Sequence, residues 1–174
     1  MIVYITGASG SGKTTILKDL PIKGYDLDNL YHSNLQKHKK VSAVHKGVKK
    51  DIDVLLSKHK HIVFIGAQSK EDMPFTPDIV YILVRKDYEQ YYRDKLIRDL
   101  NLLCKYKNEF VDVLTKEPVI DFKNHFWSNS IVDMKSLDEF KKYVNKTNSN
   151  LQKNFPDAKM LTYDTIVNKL KKLL

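Results

Sequence analysis

The sequence predicts an α/β fold, a three-layer sandwich in which helices cover both faces of a parallel sheet, and three observations carry this. Short apolar runs recur at Ile2–Ile5, His61–Ile65 and Ile79–Val84, and stretches with helical spacing separate them. That alternation of strand and helix favours a parallel sheet buried on both sides. The first run ends in a glycine-rich turn that opens a helix. The chain has 174 residues, 42% hydrophobic and 29% charged, which is the size and composition of one soluble domain.

The elements follow in order. Ile2-Val3-Tyr4-Ile5 reads as a buried strand. Gly12 to Leu20 reads as a helix with Ile16, Leu17 and Leu20 inward, stopped by Pro21. Gly24 to Leu27 is a weaker strand. Asn34 to Gly47 has little periodicity and many lysines, and is expected to be irregular or weakly helical. Val48, Ile52, Leu55 and Leu56 predict a helix over about 46–58. The strand His61–Ile65 ends at Gly66, and the loop from Gly66 to Pro77 leads to the strand Ile79–Val84. Asp87 and Gln90 are spaced as a capping box before an apolar stripe of Leu96, Leu100, Leu103, Phe110 and Leu114, with a possible break near Asn108. Pro118 ends that stretch, and 117–130 reads as irregular. Ser136 and Glu139 form a second capping box ahead of Leu137, Phe140, Tyr143 and Val144. Asn145 to Asn154 looks loop-like, Lys159 to Thr162 a short strand, and Tyr163 to Leu174 a closing helix.

Composition excludes several classes. The longest apolar runs are far short of the roughly 20 residues a membrane-spanning helix needs, and the N-terminus has no basic segment followed by a long apolar one, so a cytoplasmic protein is expected. Cys104 is the only cysteine, so no intramolecular disulfide forms; it lies beside the apolar helix stripe and reads as a small buried hydrophobe. The net charge is +9, and such a surface attracts anions. Eight lysines and five of the six histidines fall between His32 and His61, against only Asp51 and Asp53. The histidines have no metal-ligand spacing. Only three arginines occur, Arg85, Arg93 and Arg98, confined to one window in a chain that otherwise uses lysine.

The segment Gly7-Ala8-Ser9-Gly10-Ser11-Gly12-Lys13-Thr14 matches G-x-x-x-x-G-K-[ST]. Its glycines let the backbone curl so that N–H groups face phosphate oxygens. The helix opening at Gly12 presents its positive end to the same place. Lys13 reaches the β- and γ-phosphates, the Thr14 hydroxyl is placed for Mg²⁺, and Thr15 completes the nucleotide-binding set Gly7–Thr15. A chance match in a chain this long is on the order of half a percent, and this one lies between a strand and a helix, as the motif requires. After the helix, Tyr25-Asp26-Leu27-Asp28 places two aspartates two residues apart. On a strand both would face one side, toward the phosphates. One could serve the Mg²⁺ water shell and the other accept a proton; a solvated turn with an N-cap aspartate is the competing reading.

With these residues the sequence resembles the P-loop kinases, in particular their small nucleotide-kinase-like branch. The resemblance covers most of the chain in element order and is specific in the first third. It implies a five-stranded parallel sheet with the phosphate loop on the central strand, in a single domain over 1–174. It implies an ATP- and Mg²⁺-dependent phosphotransferase acting on a small acceptor, most simply a nucleotide or nucleoside, with a kinase acting on DNA or RNA as the alternative and a nucleotide-binding switch as the third reading. By the same resemblance Asp28 is the expected base and Asp26, with Thr14, the Mg²⁺ residue. An acceptor-binding region is implied at about 29–60, where the lysine tract could also hold a nucleic-acid backbone. A lid is implied at about 85–130, with Arg93 and Arg98, and also Arg85, Lys95, Lys105 and Lys107, as candidates for offsetting phosphoryl charge. The competing reading for these arginines is a helix-surface ion pair, Arg93 with Glu89 or Arg98 with Asp94. One departure from the family pattern is that the strand ending at Gly66 carries no acid. Gln68 could contact the acceptor, and His125-Phe126-Trp127 could stack on a base or simply pack under a loop.

Overall fold

A computed structural model describes residues 1–101 and 136–172. Leu103, Phe110, Leu114, Pro118, Cys104, Lys105, Lys107 and the His125-Phe126-Trp127 run lie outside the described residues. The chain divides into two compact units, Met1–Lys86 with Lys146–Leu174, and Asp87–Asn145.

The first unit holds the sheet. Its strands are β1 (Ile2–Thr6), β2 (Gly24–Asp26), β3 (Ile62–Ile65), β4 (Ile79–Leu83) and β5 (Lys159–Leu161), in the order β2-β3-β1-β4-β5. Every pairing is parallel: Tyr4 lies opposite Phe64 on one side and Val80 on the other, and Ile82 opposite Met160. The helices of this unit are α1 (Lys13–Asp19), α2 (Leu27–Lys37) and α3 (Val41–Lys58), and the chain closes with α6 (Tyr163–Lys171).

The period of two along the strands sorts the core into two clusters. Val3, Ile5, Val63, Ile65, Tyr81 and Leu83 meet Ile16 of α1 and Ile166, Val167 and Leu170 of α6 on one face. Tyr4, Ile62, Phe64 and Ile82 meet Leu27 of α2, Val44, Val48 and Ile52 of α3, and Leu151 and Phe155 on the other. The predicted three-layer, parallel α/β fold is therefore observed. It also explains why β1, β3 and β4 read as continuous apolar runs: these inner strands carry core residues on both faces.

Two segments differ from the reading of the sequence. Asn34–Gly47, expected to be irregular or weakly helical, consists of the end of α2, a break over 38–40 and the start of α3. The two helices pack at a polar crossing that periodicity does not register. Asn34 is buried, donates to the Leu30 carbonyl and to Asp51 Oδ2 (2.8 Å), and lies where a Cβ on Gly47 would be. Asn145–Asn154, expected to be a loop, is the second half of α5 (Leu137–Asn154). Its buried stripe runs through Phe140, Val144, Asn148 and Leu151 to Phe155, and the asparagine in the middle hides the helical period.

In the second unit, residues 88–101 form α4. Both predicted capping boxes make their forward bond. The Gln90 N–H donates to Asp87 Oδ1 (2.9 Å) and the Glu139 N–H to Ser136 Oγ (3.2 Å). The buried face of α4 is Tyr91, Lys95 and Asp99, and Leu100 of the expected apolar stripe is exposed. Tyr91 packs edge-on against Phe140 at 4.9 Å. Lys95 and Asp99 can be buried because their charges meet at 2.7 Å.

Candidate active site

The phosphate loop follows directly from β1. At Gly7 a Cβ would stand 2.6 Å from the Leu83 carbonyl oxygen of β4, a backbone atom that cannot yield. Gly12 caps α1 with a φ of 105°, a left-handed conformation that L side chains rarely adopt. The turn is closed by the Ser11 N–H donating to the Ala8 carbonyl (3.1 Å), and α1 starts with the Ile16 N–H donating to Gly12 (2.9 Å). Lys13 Nζ folds back over the loop and donates to the carbonyls of Gly7 (2.6 Å) and Ala8 (3.2 Å). Gly7, Ala8 and Ser11 are buried, Ser9, Gly10 and Gly12 partly so, and Thr14 and Thr15 exposed. The Ser11 hydroxyl is buried without a hydrogen-bond partner among the described residues. An orphaned donor inside a curl of N–H groups fits a phosphate oxygen.

The aspartates reach the loop by a different route from the one expected. Asp26 ends β2 and is the N-cap of α2, its Oδ1 accepting from the Asp28 N–H at 3.0 Å; Asp28 lies in the first helical turn. The two residues do not alternate along a strand, and the N-cap reading of Asp26 holds. Yet the cap geometry still delivers them to the loop, because β2 ends there. Thr14 Oγ1 donates to Asp26 Oδ2 at 3.4 Å. Burial lifts the Asp26 carboxyl above its ordinary value and the Asp28 carboxylate adds to this, against the pull of the Asp28 N–H, the Thr14 hydroxyl and Lys13. A hydroxyl and a carboxylate side by side, both hard oxygen donors, fit a Mg²⁺ that keeps most of its waters. Among the described residues no group of three or more His, Cys, Asp or Glu is placed to hold a metal ion.

Asp28 itself is exposed and held from outside its helix. Gln68 Nε2 donates to Asp28 Oδ1 at 3.3 Å. The other end of that carboxamide, Oε1, accepts from the Tyr4 hydroxyl (3.4 Å), which also lies 3.3 Å from the Gln68 carbonyl. Tyr4 is fully buried in the middle of β1, and burial pushes its phenol well above the ordinary value, so it remains a donor at any working pH. Gly66 leaves open the space that the Gln68 carboxamide fills. The sequence singled out Gln68 and Gly66 but missed Tyr4. The signal available was a phenol inside an apolar strand, which must find a partner once buried.

The arginines stand elsewhere in the chain. Arg85 follows β4, whereas Arg93 and Arg98 belong to α4 of the second unit. Arg93 pairs with Glu89 at 2.6 Å, as the surface reading expected. Arg98 pairs with Asp99 at 2.9 Å and shares that carboxylate with Lys95.

A cavity of about 450 Å³ also opens at the other end of the sheet, lined by Pro77, Tyr81, Phe155, Pro156 and Ala158 among others. Open parallel sheets bind ligands at the carboxyl ends of their strands, where the loop, Thr14 and both aspartates lie, so this cavity has no part in the phosphate chemistry.

The strand order and the loop after the central strand decide the fold. The chain has the P-loop kinase fold. A shikimate kinase from Bacteroides thetaiotaomicron superimposes on it with a TM-score of 0.54 at 13% identity, over 99% of this chain and 97% of that one. A shikimate kinase from Aquifex aeolicus vf5 matches at a TM-score of 0.45 and 16% identity, over 99% and 93%. No protein-family model and no curated protein matches the chain. At these identities the likeness is one of fold, and the five-stranded sheet with the loop on its central strand β1 is what the P-loop kinase resemblance implied. Among the described residues no helix is long and apolar enough to cross a membrane.

Proposed function

We propose that this chain is an ATP- and Mg²⁺-dependent phosphotransferase that moves the γ-phosphate of ATP to a hydroxyl or phosphate of a small acceptor, a nucleotide or nucleoside. The observation that carries this reading is the meeting of Thr14 and Asp26 at 3.4 Å, which puts a pair of carboxylates at the mouth of the phosphate loop. A nucleotide-binding loop alone suits a switch as well as a kinase; a neighbouring base suits phosphoryl transfer.

The backbone N–H groups of Gly7–Thr15 hold the phosphates. Lys13 leaves the Gly7 and Ala8 carbonyls for the β- and γ-phosphate oxygens. Thr14 and Asp26 are the residues that would hold a Mg²⁺, which would supply positive charge against the phosphates. Asp28, oriented by Gln68, accepts the proton of an acceptor hydroxyl as its oxygen bonds to the γ-phosphorus and the bond to the β–γ bridging oxygen breaks, leaving ADP. With a phosphate acceptor no base is needed, and Asp28 serves the metal shell. Arg93 and Arg98 are lid candidates that would exchange Glu89 and Asp99 for phosphate oxygens. For Arg98 the exchange leaves Asp99 still paired with Lys95.

The test is transfer of label from γ-labelled ATP with Mg²⁺ to a panel of nucleosides, nucleoside monophosphates and polyols, with Lys13→Ala as control. Label on an acceptor, lost in the variant, supports the reading. Release of free phosphate alone favours a nucleotide switch, and no consumption of ATP overturns it.

A further inference from the structure

The stretch from Asn29 to Lys50 contains no carboxylate, six lysines (37, 39, 40, 46, 49 and 50) and three histidines. The structure turns this composition into one surface. All six lysines are exposed, at the end of α2, in the break after it and on α3. His45 with Lys49, and Lys46 with Lys50, repeat at a spacing of four, so these side chains share one outward arc of α3 while Val44, Val48 and Ile52 take the buried one.

Among the described residues none of the six ammonium groups is in an ion pair, not even with Asp53, one turn from Lys49 and Lys50 on α3, whereas Arg93, Lys95, Arg98 and Lys141 each meet a carboxylate. The nearest acid in sequence, Asp51, accepts from Asn34 Nδ2 and makes no ion pair with a described lysine. The arrangement is also unfavourable at the start of α3. Its N-cap is Lys40, with no side-chain cap and no acid in the first turn. Two lysines therefore face the positive end of an 18-residue helix, where an anion belongs. Rings lie on the same surface: the exposed His45 meets Tyr31 edge-on at 5.5 Å.

We propose that the surface of α2 and α3 binds the backbone of single-stranded nucleic acid. A repeated anion matches six spread, exposed lysines better than any single small ligand does. Unpaired bases can use the His45 and Tyr31 rings, which a duplex, with its bases stacked inside, cannot. This inference does not rest on the phosphotransferase reading, since the surface would bind a strand whether or not the strand is phosphorylated.

The experiment is fluorescence anisotropy of a labelled single-stranded 15-mer titrated with the full chain at several salt concentrations, without ATP. Two variants are compared, Lys46→Gln/Lys49→Gln/Lys50→Gln on the surface and Lys153→Gln/Lys169→Gln/Lys171→Gln, with the same loss of charge, on α5 and α6. Thermal melts check that both fold, and if the surface triple does not, Lys49→Gln and Lys50→Gln singly replace it. At a slope of roughly 0.7 per phosphate contact, the surface triple should lose about a hundredfold in affinity near 0.1 M salt and flatten the salt slope by about 2. The control should lose less than about threefold. Equal losses in both variants would mean that net charge alone attracts the strand, and would overturn the proposal. So would tighter binding of the duplex of the same sequence, or equal binding of a polyglutamate peptide of matched charge. Failure of label transfer to every acceptor while the strand still binds would sink the kinase reading and leave this surface standing; the reverse result would do the opposite.

Discussion

The phosphate loop and the carboxylate corner beside it are built on opposite principles. The loop is one contiguous octapeptide in which backbone N–H groups work beside the Ser11, Lys13 and Thr14 side chains, and where its glycines stand it is the absence of a side chain that matters, as at Gly7 against the Leu83 carbonyl. The corner is assembled from four places in the chain: Thr14 on α1, Asp26 and Asp28 at the β2–α2 junction, Gln68 after β3 and Tyr4 on β1. Its contacts are long, 3.3–3.4 Å for three of them, and its carboxylates partly exposed. The loop therefore couples binding to folding, because a misplaced atom there strains the backbone. In the corner chemistry is separable from folding at Thr14, Asp26, Asp28 and Gln68, whose partly or fully exposed side chains can change without unseating the core, Tyr4 alone being buried.

The largest expected effect is at the link between the two. Lys13→Ala should lower kcat by about 10³-fold, the cost of one charge aimed at the transferring phosphoryl group, and should weaken nucleotide binding. Steady-state kinetics with the acceptor found by the panel would check it. Next is Asp28→Asn, expected to cost about 10²-fold in kcat with a hydroxyl acceptor while leaving the ATP affinity and the melting temperature near those of the parent. If Asp28→Asn were silent and Asp26→Asn instead abolished turnover, the two roles would have to be exchanged.

Gly7→Ala probes the loop by the other route. The added methyl meets the Leu83 carbonyl, so stability should fall by about 1–3 kcal/mol in denaturant unfolding, and nucleotide binding should fall with it. A loss of binding with unchanged stability would break the distinction drawn between the two regions. The smallest effect is expected at Gln68→Ala. Asp28 keeps its charge but loses its outside tether, so kcat should drop about tenfold with KM for ATP and stability little changed. Tyr4→Phe should give part of that loss, since it leaves the Gln68 carboxamide without its buried donor. A Gln68 variant that melts early would mark the bridge as a core contact rather than a positioning one.

How legible each region was follows from the same difference. The loop could be read residue by residue because its geometry is local. The outer strands β2 and β5, three residues each, were placed by element order rather than by pattern. The Asp26–Asp28 pair was found, but by a strand argument, whereas a helix cap holds it. The proximity survives because both geometries begin at the carboxyl end of β2. The α2–α3 crossing was hidden by Asn34 and Gly47, and the end of α5 by Asn148. In each case a buried polar residue stands at a position where periodicity looks for an apolar one. The inward face of α4 was missed for the same reason, since Lys95 and Asp99 are buried as a pair.

By itself the sequence determined whatever depends on neighbours along the chain: the parallel α/β class, from doubly buried strands, the phosphate loop, from glycine spacing, and the helix starts, from Asp87 and Ser136. Only the tertiary structure decided which residues distant in sequence share a site. Tyr4, Gln68 and Asp28 are joined, and Thr14 meets Asp26, because parallel strands end on one side of the sheet, and that side is set by strand order and register, which no local pattern encodes.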